Sequence, residues 1–311
     1  MTDVSDGDIT TPKQKRPNPV TTWFFAVRPD SFVAASMPVV TSLALAWCDC
    51  NYGRSGKFLL VPAICCLFFA VLGQAAANLF NDYSDYRTGA NSDLREAKEK
   101  DGWINRRTLL TGALAALFAS VLFGLATIPY GGATIVYAGL IFSAIGVLYS
   151  VGPFPFSERG LGDLAVFATF GVGSVVFTYF LQTKSFSWDA LALGVVFGLA
   201  INNILVANNY ADYEQDRAVQ KYTTVVLFGE RFGRQLYLVS GIIAVFVLGT
   251  FYTVRQYWGV FAVLSLVVYG LSVYRSFLTL CRTDYVKQTG LAQAGISVVI
   301  LGVLIPLAIL L

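Results

Sequence analysis

The chain has 311 residues, of which 56% are hydrophobic and only 13% charged. A soluble globular domain carries about 25% charge, so water is not its main solvent. It contains no histidine, which excludes Ser-His-Asp and Cys-His catalysis, histidine-ligated haem and histidine-based zinc sites.

Residues 1–22 are polar, with Pro12, Pro17 and Pro19 among them, and read as a disordered cytoplasmic tail without the apolar core of a signal peptide. Residues 23–311 read as one polytopic domain. An apolar run of about 20 residues crosses a ~30 Å hydrocarbon core. Such runs predict nine helices, near 31–48, 58–80, 108–128, 132–151, 162–182, 189–209, 236–254, 257–274 and 290–311. The expected fold class is thus an all-α integral membrane protein, its nine spans in one bundle around a central cavity.

With nine spans, the amino terminus and the connections after the second, fourth, sixth and eighth share one side. That side holds 18 of the 22 Lys and Arg, and so reads as cytoplasmic. No Lys or Arg falls inside a span, and no carboxylate lies at mid-membrane. A proton- or ion-coupled transporter normally keeps an ionisable group at depth, which weighs against transport without removing a nine-span carrier as the non-enzyme alternative. The five cysteines, Cys48, Cys50, Cys65, Cys66 and Cys281, form no CxxC pair and read as structural.

The acidic residues cluster where the second and sixth helices end. The first window runs from Ala77 to Asn91 and contains Asn78, Asp82 and Asp85, with Asp93 just behind; the second, Ala207 to Arg217, contains Asn208, Asp212, Glu214 and Asp216. Shifted by 130 positions, Ala77 falls on Ala207, Asn78 on Asn208, Asp82 on Asp212, Tyr83 on Tyr213 and Arg87 on Arg217. This is an internal repeat. On helices, Asn78, Asp82 and Asp85 share one face, as do Asn208, Asp212 and Asp216. Each helix then projects a column of oxygen ligands. Two facing columns repel unless cations lie between them, and Mg²⁺ commonly bridges carboxylates to substrate phosphates. Arg87, Arg106, Arg107, Arg217 and Lys221 lie in the same connections, placed to meet phosphate oxygens.

These segments resemble the UbiA-type intramembrane prenyltransferases and, within them, the 1,4-dihydroxy-2-naphthoate polyprenyltransferase (MenA) group of menaquinone synthesis. The resemblance rests on Trp23-Phe24-Phe25-Ala26-Val27-Arg28-Pro29 with Ala34 to Val39; on Asn81-Asp82-Tyr83-Ser84-Asp85-Tyr86 with Gly89-Ala90; on Tyr149 to Pro155 with Gly160-Leu161-Gly162-Asp163; and on Asp212 to Arg217 with Lys221, Thr223 and Phe228-Gly229. It implies a UbiA-type fold and transfer of a polyprenyl chain from its diphosphate to an aromatic acceptor, with Mg²⁺ as cofactor. The implied metal ligands are Asn78, Asp82 and Asp85 on one side and Asn208, Asp212 and Asp216 on the other. Lys221, Arg87 and Asn81 become diphosphate or substrate contacts. Arg28 is placed either on an acceptor carboxylate or phosphate, or as an interfacial anchor. The ring faces of Tyr83, Tyr149 and Tyr213 are candidates for stabilising an allylic cation. The expected partners are the donor, the acceptor and the bilayer, with no nucleic acid.

Two positions depart from the group's pattern: Asn91 follows Gly-Ala where Asp is usual, and Ala211 precedes the second acidic motif where a basic residue is common. They leave open a different aromatic acceptor, or none, as in a terpene cyclase. Gly171, Gly173 and the pair Gly194 and Gly198 are expected to allow close helix approach. Segments 101–107 and 214–234 are expected to cap the site against water.

Overall fold

The computed structural model describes residues 19–53, 56–88, 105–150, 153–282 and 287–311, with side chains omitted at 19–22, 85–88 and 287–288. The tail 1–18, Asn91, Asp93 and residues 101–104 of the expected cap lie outside the described residues.

The chain opens with α1 (Pro19–Val27). Pro29 disfavours helical geometry at the residue before it, and Arg28 instead takes left-handed geometry, with φ 50° and ψ 70°. The chain then restarts as α2 (Phe32–Asn51). Next come α3 (Leu60–Thr88), α4 (Arg106–Leu125) and α5 (Ile128–Ser150). After a connecting segment, α6 (Gly162–Thr183) contains a π-helical stretch at Phe167–Gly173. The remaining helices are α7 (Trp188–Ala211), the short α8 (Tyr213–Ala218) and α9 (Thr224–Phe228), then α10 (Glu230–Arg255), α11 (Val260–Leu280) and α12 (Lys287–Leu310).

Among the described residues, nine helices are long and apolar enough to cross a membrane. They coincide with the nine predicted runs, and the protein is an integral membrane protein. The ends differ. At 29 residues, α3 is about 43 Å long; it exceeds the hydrocarbon thickness and carries its acidic motif within the helix rather than in a loop. Glu230 to Arg234, expected to belong to a cap, form the first turn of α10.

Packing divides the bundle unevenly. The main core joins α2, α6, α7, α10, α11 and α12 around Leu45, Val175, Phe197, Tyr237, Leu248, Tyr269 and Leu301. A smaller core around Ala76, Leu79, Phe80, Leu109 and Ala113 joins α3 and α4 with α1. The central strut is α7, 67% buried over its most apolar stretch, whereas α5 is only 11% buried over its own. A methyl group at Gly171 of α6 would lie 2.2 Å from Gly198 Cα and 2.7 Å from Gly194 O, so these two backbones touch only because all three residues are glycine.

At the end of the bundle away from the acidic motifs, Asp49 is buried in the last turn of α2. It accepts from Tyr179 OH at 2.8 Å and from Arg255 Nη2 at 2.5 Å, and Arg255 Nε lies 3.4 Å from Asp189 Oδ2. This ionic cluster ties together the ends of α2, α6, α7 and α10. Neighbouring Cys48 lies 3.5 Å from Tyr257 OH, and all five cysteines are free thiols, in keeping with their structural reading.

Candidate active site

The first acidic motif is built around the bend at Arg28. Asn78, one turn before Asp82 on α3, donates through Nδ2 to Val27 O and to Ser31 Oγ, both at 2.7 Å. Its Oδ1 accepts from Gln74 Nε2 at 3.0 Å, and Ser31 Oγ donates to Arg28 O at 2.8 Å. Asn78 is buried, so this network fixes the α1–α2 turn to α3 at its strained residue. The turn carries the Arg28 guanidinium to Asp82, which it meets in an ion pair. Asp82 is 8% exposed, and a carboxylate this buried needs such a partner. Asn78 is thus held at both ends of its amide, Nδ2 by the bend and Oδ1 by Gln74 one turn earlier on α3.

The following turns of α3 reach other elements. Asn81 Oδ1 accepts from Ser150 Oγ at the end of α5. Ser84 Oγ lies 3.5 Å from Glu158 Oε1. Tyr83 OH accepts from Arg106 Nη2 at 3.1 Å, and the same guanidinium sits 4.8 Å from the ring centroid, taking up the face of that tyrosine. Asp85 and Arg87 lie in the last turns of α3, their side chains outside the described part of the structure.

The second motif departs from a continuous helical column. The chain breaks at Asp212, which closes α7 with its N–H on Asn208 O at 3.0 Å, and restarts as α8, where Asp216 N donates to Asp212 O at 2.7 Å. Asp212 and Asp216 are buried, Asn208 is half-buried, and Glu214 and Arg217 face outward. The turn after α8 folds back, with Lys221 N on Asp216 O at 2.8 Å and Lys221 Nζ 3.2 Å from Asp216 Oδ1. Each half-site therefore pairs a buried aspartate with a basic side chain: Asp82 with Arg28, Asp216 with Lys221.

Sequence reasoning picked out Tyr149 to Pro155 and Gly160 to Asp163 for the resemblance but did not see that this segment joins the two halves. The connection from α5 to α6 runs as a strap between them. Ser150 and Glu158 reach α3 as above, while Glu158 O accepts from Tyr222 N at 3.1 Å and Arg159 pairs with Tyr222 in a parallel bridge. Gly160, with φ 71°, turns the strap where a side chain would meet Leu227 Cδ1 at 2.6 Å. Tyr149 packs on Gly162, and its carbonyl accepts from Ser157 Oγ at 2.7 Å. Asp163 then accepts from Asn202 Nδ2 at 3.1 Å and from Thr224 Oγ1. A polar pair, Asn202-Asn203, inside an apolar span was a readable signal, because such groups seldom enter a membrane helix without a task.

The chemistry of this end is that of a hard-cation and phosphate site: buried carboxylates, amide oxygens and basic side chains, with no imidazole or thiolate. Among the described residues no three carboxylates or cysteines gather into one cluster. A carboxylate offers about four acceptor positions, so pairing with one basic group is compatible with a second, cationic partner. The donor set fits Mg²⁺ in kind.

A family model described as the UbiA prenyltransferase family matches residues 35–308. The chain belongs to the UbiA prenyltransferase family. It is accordingly an enzyme that transfers prenyl groups within a membrane. Among similar UbiA-family proteins, the 1,4-dihydroxy-2-naphthoate octaprenyltransferase of Mycobacterium tuberculosis is 32% identical over 226 residues, 72% of this chain and 74% of the relative. That of Haemophilus influenzae is 28% identical over 221 residues, 68% of this chain and 70% of the relative. The structure of a UbiA homolog from Archaeoglobus fulgidus bound to GPP and Mg²⁺ superposes with a TM-score of 0.63 at 15% identity, over 93% of this chain and 99% of that one. That likeness carries the fold. The nine-helix UbiA-type bundle expected from the sequence is the one found.

Proposed function

We propose that this UbiA-family enzyme transfers a polyprenyl chain from its diphosphate to an aromatic acid of the 1,4-dihydroxy-2-naphthoate class, as a step in menaquinone or related quinone synthesis, with Mg²⁺ as cofactor. The observation that carries the reading is the pair of half-sites on repeat-related helix ends: Arg28–Asp82 on one, Lys221–Asp216 on the other. The naphthoate prenyltransferases among its relatives support the acceptor class, and the homolog bound to GPP and Mg²⁺ supports the donor and cofactor.

In this reading Asp82, Asp85, Asp212 and Asp216 hold the metal, with Asn208 as a neutral oxygen ligand. Asn78 shapes the first half-site by holding the Arg28 turn. Bound Mg²⁺ would neutralise charge on the diphosphate leaving group. Lys221, Arg87 and Arg28 add positive charge where that diphosphate lies. The allylic C–O bond breaks, and the electron pair leaves with diphosphate. A ring carbon of the acceptor bonds to the allylic carbon, and the ring regains aromaticity by losing a proton or, from a carboxylate-bearing carbon, carbon dioxide. In the same reading Asn81, held by Ser150, and Tyr149, seated on Gly162, are substrate contacts. The excess of basic residues at this end, 18 of 22, supports a cytosolic orientation for it.

The test is turnover by protein reconstituted in lipid with a polyprenyl diphosphate, 1,4-dihydroxy-2-naphthoate and Mg²⁺. Prenylated naphthol and released diphosphate in equal amounts support the reading. Diphosphate release without aromatic product moves the enzyme to a cyclase or another acceptor, and no diphosphate release rejects it.

A further inference from the structure

Asp163 is the second residue of α6, and neither of its oxygens is used within its own helix. Oδ1 accepts from Asn202 on α7 and Oδ2 from Thr224, the first residue of α9. Asn202 is buried, and its own carbonyl oxygen finds no donor among the described residues, so Asp163 alone orients that amide. On the other side, Thr224 closes the turn that begins at Asp216. Within this turn Lys221 N bonds Asp216 O, Thr223 N bonds Lys221 O at 3.0 Å, and Tyr222 N bonds the strap at Glu158 O. Thr223 caps α9 through Val226 N at 3.3 Å. One carboxylate thus links the strap, the body of α7 and the far end of the turn that sets Lys221 over Asp216.

We propose that Asp163 is a positioning residue for the second half-site, holding the Asp216–Lys221 turn in register with α7 through Thr224 and Asn202. This rests on the prenyl-transfer reading above. Removing the carboxylate leaves the Asn202 amide without its acceptor and the Thr224 hydroxyl with only its long 3.5 Å contact to Gly160 O on the strap, and lets the turn shift against α7. The Lys221 ammonium then loses its fixed height over Asp216. Its cost falls on recognition of the diphosphate, whose charge Lys221 meets, more than on the acceptor.

The roles separate by substitution. In Asp163→Asn the carbonyl still accepts from Asn202, and the new amide donates to Thr224 Oγ1, whose own proton turns to Gly160 O, 3.5 Å away. A positioning role therefore survives the loss of charge, whereas a metal-binding or proton-transfer role does not. Steady-state kinetics on reconstituted protein would measure KM for the prenyl diphosphate and for the naphthoate. Asp163→Ala and Thr224→Val are each expected to raise donor KM about tenfold with acceptor KM changed less than twofold. Asp163→Asn and Thr224→Ser should stay within about threefold of wild type. The double variant Asp163→Ala/Thr224→Val should be no worse than the poorer single, since coupled residues do not add. Unchanged donor KM in Asp163→Ala, effects that multiply in the double variant, or Asp163→Asn as impaired as Asp163→Ala would each overturn the proposal. If Asp163→Ala does not fold, the Thr224 pair and Asp163→Asn decide it alone. A wild-type protein that releases no diphosphate counts instead against the function itself.

Discussion

Arg28 meets Asp82 across 54 residues of sequence, from a left-handed backbone conformation that few residues other than glycine adopt. The turn is held by Asn78 and Ser31, so the ion pair is placed by a dedicated network rather than found by a flexible surface side chain. Arg28 is nearly half exposed but Asp82 is buried, so removing the guanidinium takes from that carboxylate its ion-pair partner. Arg28→Ala is expected to lower turnover at least tenfold and the unfolding temperature by a few degrees, both measured on the same preparation. A large thermal shift with normal turnover would make Arg28 an anchor only.

Asn78→Ala should do the reverse in proportion. It removes the side-chain donor to Val27 O and one bond each from Ser31 and Gln74, which keep only their 3.2 Å bond to each other and the Ser31 bond to Arg28 O, at a cost of about 1–3 kcal/mol. A clear drop in thermal stability is expected together with loss of activity, whereas an Asn78 that acts only as a metal ligand would lose activity and keep its melting temperature.

Asp82→Ala and Asp212→Ala are each expected to reduce turnover more than a hundredfold while the protein still inserts and elutes as a single species. Chelation of divalent ions should silence the wild type, and Mg²⁺ should restore it. Near-normal turnover in both variants would refute the assigned site.

Gly171→Leu is expected to prise α6 from α7, because even a single methyl group would overlap the Gly198 backbone. Overpacking of this kind costs about 1–3 kcal/mol. The loss should appear in thermal unfolding; an unchanged melting curve would mean that the two helices have room to part.

At the opposite end, Arg255→Met leaves Asp49 buried without its guanidinium. Breaking a buried pair by removing one partner costs about 3–5 kcal/mol. Marked destabilisation is expected, with the surviving folded fraction keeping its donor KM, because this cluster lies away from both half-sites.

All nine spans were legible because each is an apolar run bounded by polar residues, and hydrocarbon imposes that pattern on any crossing helix. What escaped was the polar continuation of those helices. Asn81 to Thr88 look like loop by hydropathy, yet nothing between them breaks a helix before Gly89. The start of α10 at Glu230 was hidden in the same way. Within the site, the repeat pointed to Asp82, Asp212 and Asp216 but not to their burial or to the Arg28–Asp82 and Lys221–Asp216 pairs. The strap was visible as a segment of the resemblance, but its linking contacts were not, because Ser150, Glu158 and Tyr222 act through single side-chain or backbone bonds that follow no period. Asp163 was visible as part of that segment and as an acid at a helix end, but not its bonds, since its partners Asn202 and Thr224 come from elements distant in sequence.

The strap hangs from α5, the span that other helices enclose least. A rod enclosed so little by protein leaves more of its tilt to interfacial anchors and to the fit of its length to the bilayer. Ser150 on Asn81 then gives a mismatch at this span a short route to the catalytic end, so acyl chain length belongs among the variables of any reconstitution.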